Sequence, residues 1–338
     1  MIDLLVAGGG PAGLATALYA ARAGLQVTVV ERRPGAIDKA CGEGLMPHTV
    51  GQLDKLGVTL RGKPFRGIAY LDSRRRIEAP FRSGAGLGVR RTALHTALRE
   101  AVAAAGVHVV TADIGAVSQD HDAVYCGEFR ARYLAAADGL HSPIRRSLGL
   151  SRPSRGPRRW GVRRHFHTAP WSDTVEVYWG QSAEAYVTPV ADDCVGVAIL
   201  TSQQGSFDHH LAEFPALKDR VGSLGHGRDR AAGPLQQRVS SRSRGRVMLV
   251  GDAAGYVDAL TGEGLGIAFG GAELLVDAVV AGRPGDYDRQ WRHMSRRYRM
   301  LTAGLLHASQ LKPVRSAIVP AAVALPSVFS GIVNQLAY

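Results

Sequence analysis

Ile2-Asp3-Leu4-Leu5-Val6-Ala7-Gly8-Gly9-Gly10-Pro11-Ala12-Gly13 stands near the start of the chain. Ile2 to Ala7 is a short apolar run of the kind that forms a parallel strand buried on both faces, and glycines at 8, 10 and 13 follow at once as Gly-x-Gly-x-x-Gly. An Ala- and Leu-rich helix pattern then runs from Pro11 to Ala23, with Gly24 placed to cap it. Leu25 to Val30 predicts a second strand ending at Glu31. Each part has a physical task. Gly8 permits the tight turn, Gly10 lets a pyrophosphate approach the backbone, and Gly13 lets the helix pack close to the strand. Pro11 and Ala12 begin a helix whose free N–H groups and positive dipole end face the phosphates. Glu31 is placed to accept hydrogen bonds from a ribose, with Arg32 beside it. The unit predicts dinucleotide binding.

Two later stretches narrow the choice of dinucleotide. Arg246 to Gly255 reads as a buried strand ending in Gly251-Asp252, followed by Thr261-Gly262-Glu263-Gly264 and a helix pattern from Leu265 to about Val280. Gly262 and Gly264 precede that helix, so its N–H groups would face a negatively charged ligand. Between the two glycine loops lies Asp138-Gly139-Leu140-His141-Ser142-Pro143-Ile144-Arg145, an Asp-Gly-x-x-Ser-x-x-Arg segment. In order and content these stretches resemble the FAD-dependent oxidoreductases of the p-hydroxybenzoate-hydroxylase-like superfamily, which also holds geranylgeranyl reductases and flavin-dependent halogenases. The resemblance covers most of residues 1–285. It implies an α/β fold, with a Rossmann-like FAD-binding domain, an inserted β-sheet substrate lobe and a helical C-terminal segment. It also implies FAD as cofactor, Asp252 near the ribityl and pyrophosphate region, and Arg91 and Asp138 among the residues that hold it. Cys41 and Gly42 are expected near the flavin, and Gly262, Gly264 and Leu265 at the distal cofactor wall.

The reaction is less sharply marked. Hydroxylases of this superfamily usually have a His where Gly255 stands and a proline pair where Asp258-Ala259 stands. Geranylgeranyl reductases are more similar at Gly255 and at Gly262-Glu263-Gly264. Their Cys-Gly-Gly-Gly-Leu is similar to Cys41-Gly42-Glu43-Gly44-Leu45, with Glu43 in place of a glycine. Tyr186-Val187-Thr188-Pro189 keeps only the Tyr and Pro of the reductases' aromatic strand. The Trp-x-Trp-x-Ile-Pro segment of halogenases is absent. The expectation is a monooxygenase of secondary metabolism, reduced by NADPH or NADH, that hydroxylates an aromatic or polyketide-like molecule through a flavin C4a-hydroperoxide. Hydride transfer from reduced FAD to an alkene is the alternative, and a non-catalytic flavin-binding protein the distant one. Candidate catalytic residues are Cys41, Tyr256 and Asp258. Tyr186, Pro189 and Tyr256 are candidate substrate contacts.

Composition bounds the rest. The 338 residues suggest about two domains, and 46% hydrophobic with 21% charged residues excludes disorder. The 41 glycines, about 12% of the chain against an ordinary ~7%, have no fixed period. Strand and helix patterns predict a discontinuous cofactor domain over 1–62, 86–155 and 245–285, a substrate lobe over 63–85 and 156–244, and a helical segment over 286–338. Three widely spaced cysteines, Cys41, Cys126 and Cys194, argue against a disulfide framework or zinc site. Without an opening signal-peptide pattern, they point to the cytoplasm. His165 and His167 alternate on one strand without a third ligand, so no metal is expected. The net charge is +12, and its densest stretch is Arg152, Arg155, Arg158, Arg159, Arg163 and Arg164. That stretch reads as a solvated strand edge, with docking of a nucleotide phosphate or an acidic carrier as its functional alternative. No nucleic-acid module is visible, so a small hydrophobic or aromatic molecule is the expected partner. The uncharged stretch from Ser316 to Tyr338 is broken by Pro320 and Pro326 and is expected to pack across the pocket or the domain surface, with peripheral membrane contact as the alternative.

Overall fold

The structure is a computed structural model and describes residues 1–337. Leu4 to Ala7 are all buried because their strand, Ile2–Ala7, lies mid-sheet with parallel neighbours Val27–Val30 and Phe129–Ala136 on its two sides. His108–Val110 extends the sheet beyond Val27–Val30 in parallel, and Val247–Leu249 pairs in parallel with Phe129–Ala136. The order across the sheet is Ser243–Arg244, Val247–Leu249, Phe129–Ala136, Ile2–Ala7, Val27–Val30, His108–Val110. Helix Pro11–Arg22 packs against helices Arg91–Ala104 and Gly264–Val280. The Gly8, Asp138 and Asp252 turns therefore follow the carboxyl ends of three adjacent parallel strands, which is where such sheets bind ligands.

A second, seven-stranded sheet has the order Arg230–Ala232, Trp160–His167, Cys194–Thr201, Ala183–Ala191, Val175–Trp179, Gly67–Leu71, Arg76–Pro80. Its pairs are antiparallel except Val175–Trp179 with Gly67–Leu71. The chain ends in helices Tyr287–Gln310, Lys312–Ala324 and Pro326–Leu336. Val319 and Leu306 pack on Val177 and Trp179, while Ala322, Phe329 and Val333 cover Ala79, Ile68 and Ile77. Tyr70 and Phe329 meet with ring centroids 4.7 Å apart.

The basic stretch departs from the expected solvated edge. Arg159, Arg163 and Arg164 are buried. Arg159 pairs with Glu184, Arg163 with Asp38, and Arg164 with Asp208 and Asp229. Apolar sheet faces alone would not admit these guanidiniums; each enters because a carboxylate from a distant segment meets it. Arg152, Arg155 and Arg158 stay outside.

Candidate active site

The first loop has little freedom. Gly8 has φ +112°, and a Cβ there would lie 2.4 Å from the Ala137 carbonyl oxygen. At Gly13 a Cβ would lie 1.9 Å from the Gly8 oxygen. Glu31 accepts the Gly9 N–H at 2.8 Å and both the backbone N–H and the Nε of Arg33 at 3.0 Å. Burial acts to raise the Glu31 pKa, but these donors outweigh it and hold the carboxyl below its ordinary value. Both Arg32 and Arg33 are exposed, and Arg33 is the one that bonds to Glu31. His95, buried, pins the loop from behind: its Nε2 lies 2.8 Å from the Gly9 oxygen, and its Nδ1 faces the Ile37 N–H. Burial chiefly lowers its pKa, so the ring is neutral with the proton on Nε2.

Arg145 brackets the other two turns. It is buried and donates to the carbonyls of Leu140 at 2.8 Å and Ala253 at 3.1 Å, and to Gln237 at 2.7 Å. Asp138 accepts the Ile144 N–H at 3.0 Å through Oδ2. Asp252 keeps solvent contact although protein surrounds it, and burial raises its pKa against the opposing pull of Lys39, Arg91 and Arg145. Lys39 reaches toward the Asp-Gly turn, its Nζ being the nearest atom to a Cβ placed on Gly139.

Whether FAD fits is decided by what is unsatisfied. Arg91 Nε and Asp138 Oδ1 are buried without hydrogen-bond partners. A Cβ on Gly10, Gly42 or Gly262 would meet nothing within 4 Å. The helices starting at Pro11 and Gly264 have no side-chain cap, so their first N–H groups remain free for anionic or carbonyl oxygens. Unpartnered donors, an unpartnered acceptor and an open glycine floor fit a dinucleotide running from Glu31 past Asp252 to Gly264. Glu263, between the last two glycines, turns away and lies 3.1 Å from His48. Leu265 follows in the first turn of the same helix.

The candidate chemical residues gather around the far end. Thr188 donates to the Gly42 carbonyl at 2.8 Å, tying the Cys41 loop to the Ala183–Ala191 strand that carries Tyr186 and Pro189. The Pro189 carbonyl lies against Gly88, where a Cβ would come within 1.7 Å of it. Tyr186 donates to the Leu260 carbonyl at 2.9 Å. Burial pushes up the Cys41 thiol and, well above its ordinary value, the Tyr256 phenol, which also feels Tyr298, Asp252, Asp258 and Cys41. Asp258 is buried beside Arg159, 3.7 Å away, and burial raises its pKa to about 6 despite that charge. Arg159 and Arg315 flank Glu184 beneath the same strand, and the Nη1 of Arg159 has no partner. A cavity of about 270 Å³ lies against Tyr256, Asp252 and Gly264, bounded by Arg238, Arg242 and Arg299. Sequence reasoning had no signal for His95 as a site residue, because it belongs to no glycine motif; Lys39 entered only as the residue opening the Cys41 stretch, and Arg159 only as part of the basic stretch.

A family model described as an FAD binding domain matches residues 1–282. The chain belongs to this FAD-binding family. Proteins similar to it in sequence include the menaquinone reductase of Mycobacterium tuberculosis H37Rv, 30% identical over 81% of this chain and 76% of the relative. The digeranylgeranylglycerophospholipid reductase 1 of Methanothermobacter thermautotrophicus is 28% identical over 86% of this chain and 82% of the relative. Among solved structures, p-nitrophenol 4-monooxygenase of Pseudomonas putida superposes with TM-score 0.78 at 20% identity, covering 99% of this chain and 95% of that one. A flavin-dependent brominase variant gives TM-score 0.85 at 15% identity, covering 100% and 94%. These likenesses establish the p-hydroxybenzoate-hydroxylase-like fold of this flavoprotein and its class, an FAD-dependent oxidoreductase.

Proposed function

We propose that this flavoprotein reduces a carbon–carbon double bond in an apolar, isoprenoid-type molecule, with NADPH or NADH as the source of electrons. The reading is carried by one juxtaposition: Tyr256 lies against Gly264 at the end of the groove and is near enough to feel both Cys41 and Asp258, and burial favours the protonated form of all three. FAD bound there and reduced by the nicotinamide would supply the hydride for one alkene carbon. The chain's task is to bring the other carbon to a proton donor and to exclude water. Cys41 is tied through Gly42 to Thr188, which fixes its loop against the substrate sheet. Asp258, with a pKa of about 6, exchanges a proton near neutral pH and can cycle between acid and base forms. The sequence likeness to reductases over more than four-fifths of the chain supports this choice over the hydroxylation expected from the sequence, and the motif departures at Gly255 and Asp258-Ala259 favour it too.

Hydroxylation of an aromatic or polyketide-like molecule is the second reading, favoured by the charged floor of Arg159, Glu184 and Arg315 beneath the strand that carries Tyr186. A polyprenyl chain makes no use of such a floor. Turnover under nitrogen separates the two. Prereduced holoprotein mixed with polyprenyl or prenylated-quinone candidates is expected to give a product carrying two added hydrogens without O2. A product that gains one oxygen atom, and only when O2 is admitted, overturns the reductase reading.

A further inference from the structure

The terminal helices are apolar on both sides. Lys312–Ala324 and Pro326–Leu336 bury Val319, Ala322, Phe329 and Val333 against the second sheet. Their outer faces carry Val314, Ala317, Ala321, Val323, Leu325, Val328 and Ile332, all exposed. Leu325 and Val328 are 56% and 55% exposed, and they sit where the helices turn through 104°. Of the eleven exposed large hydrophobic residues among the described residues, eight lie from Met294 to Ile332. Scattered single exposures need no explanation, but a helix corner with apolar residues on every side calls for a cover.

Charge identifies the cover. From Arg289 to Tyr338 the chain has six arginines and one lysine and no acidic residue. Arg315 is used internally, bonding to Glu184, while Arg296, Arg297 and Lys312 are exposed. A second copy would bring like charge against like charge. An anionic lipid surface satisfies both features, taking the corner into its acyl boundary and the cations at its headgroups. Neither helix spans it alone: 13 residues at ~1.5 Å each reach ~20 Å, short of a ~30 Å hydrocarbon core, and no single described helix is long and apolar enough to cross.

We propose that the Leu325 corner is a peripheral docking surface for anionic lipid bilayers. The proposal is independent of the reaction catalysed. FAD-loaded protein is expected to co-float with phosphatidylglycerol vesicles in low salt, to release as salt rises, and to ignore phosphatidylcholine vesicles. The Leu325→Asp/Val328→Asp double variant, with its FAD content and circular dichroism unchanged, is expected to bind at least about tenfold more weakly. Lys312→Glu, which leaves the apolar corner intact, is expected to bind several-fold more weakly and with a shallower salt dependence. Failure of the wild-type protein to bind phosphatidylglycerol vesicles overturns the proposal. So does undiminished binding by the double variant, or a wild-type dimer in size-exclusion chromatography that the double variant converts to monomer.

Discussion

A methyl group on Gly13 would collide with the Gly8 carbonyl, whereas one on Gly10 would touch no protein atom within 4 Å. The first glycine serves helix–strand packing and the second serves a ligand, and substitution separates them. Gly10→Ala is expected to melt, as apoprotein, within about 2 °C of wild type and to lose at least about tenfold in FAD affinity, or ~1.4 kcal/mol. Melting curves and FAD titration check this; an FAD affinity equal to wild type removes Gly10 from the cofactor cradle. Asp258 makes a second prediction at this scale. Its pKa is raised by burial from 3.8 to about 6, so the folded state prefers the protonated carboxyl. That preference stabilises the fold fully below pH 4 and is lost as pH climbs through 6, a change of about 3 kcal/mol at 1.36 kcal/mol per unit. The stability of Asp258→Asn relative to wild type should therefore improve between pH 4 and pH 7. Denaturant midpoints that keep a constant separation over that range would contradict the raised pKa.

Elements joined by neighbouring residues were legible in the sequence, and those joined by distant side chains were not. Strand, glycine turn and helix over residues 2–22 are set by local spacing, and the Gly264–Val280 helix begins within a residue of its expected start. The Arg152–Arg164 stretch looked solvated because its partners lie elsewhere: Glu184 is 25 residues from Arg159, and Asp38 is 125 from Arg163. Glu43, read only as a departure from a glycine motif, meets His165 across 122 residues at 2.6 Å, and it adopts φ +60°. No pattern along the chain encodes such pairings. Glu184 shows their weight. It lies between Arg159 and Arg315, and so fastens the Lys312–Ala324 helix to the Ala183–Ala191 strand. Glu184→Gln leaves the buried Arg315 without a counter-charge and Arg159 with only Asp258, 3.7 Å away, and is expected to cost about 3–5 kcal/mol. Combining it with Arg315→Leu should cost less than the sum of the single changes, because the second substitution removes one of the stranded cations. Additive losses in chemical denaturation would show that the three charges do not act as a unit.

At the scale of the whole molecule, residues 48, 263 and 337 meet at the start of the helix that faces the cofactor groove. His48 Nδ1 lies 3.2 Å from the Ala337 carbonyl oxygen, and Nε2 lies 3.1 Å from Glu263. With an acceptor at each nitrogen, the protonated ring satisfies both contacts and the neutral ring only one. Burial works against the charged ring, but Glu263 and the Ala337 carbonyl prevail and raise the His48 pKa above its ordinary 6.5. Burial also raises the Glu263 pKa, so the pair is best seen as holding one proton between its two members. A raised histidine pKa gives stability that is complete below pH 6.5 and is lost as pH rises through the folded value. The element released is the final helix, Pro326–Leu336, whose end is held at His48. Hydrogen exchange in residues 326–337 is therefore expected to quicken, beyond the intrinsic pH effect, between pH 6 and pH 9 in the wild-type protein. His48→Gln should already exchange quickly at pH 6 and show no further acceleration. If the two proteins keep the same ratio of protection factors across the range, the His48 contact does not hold the C-terminal helix.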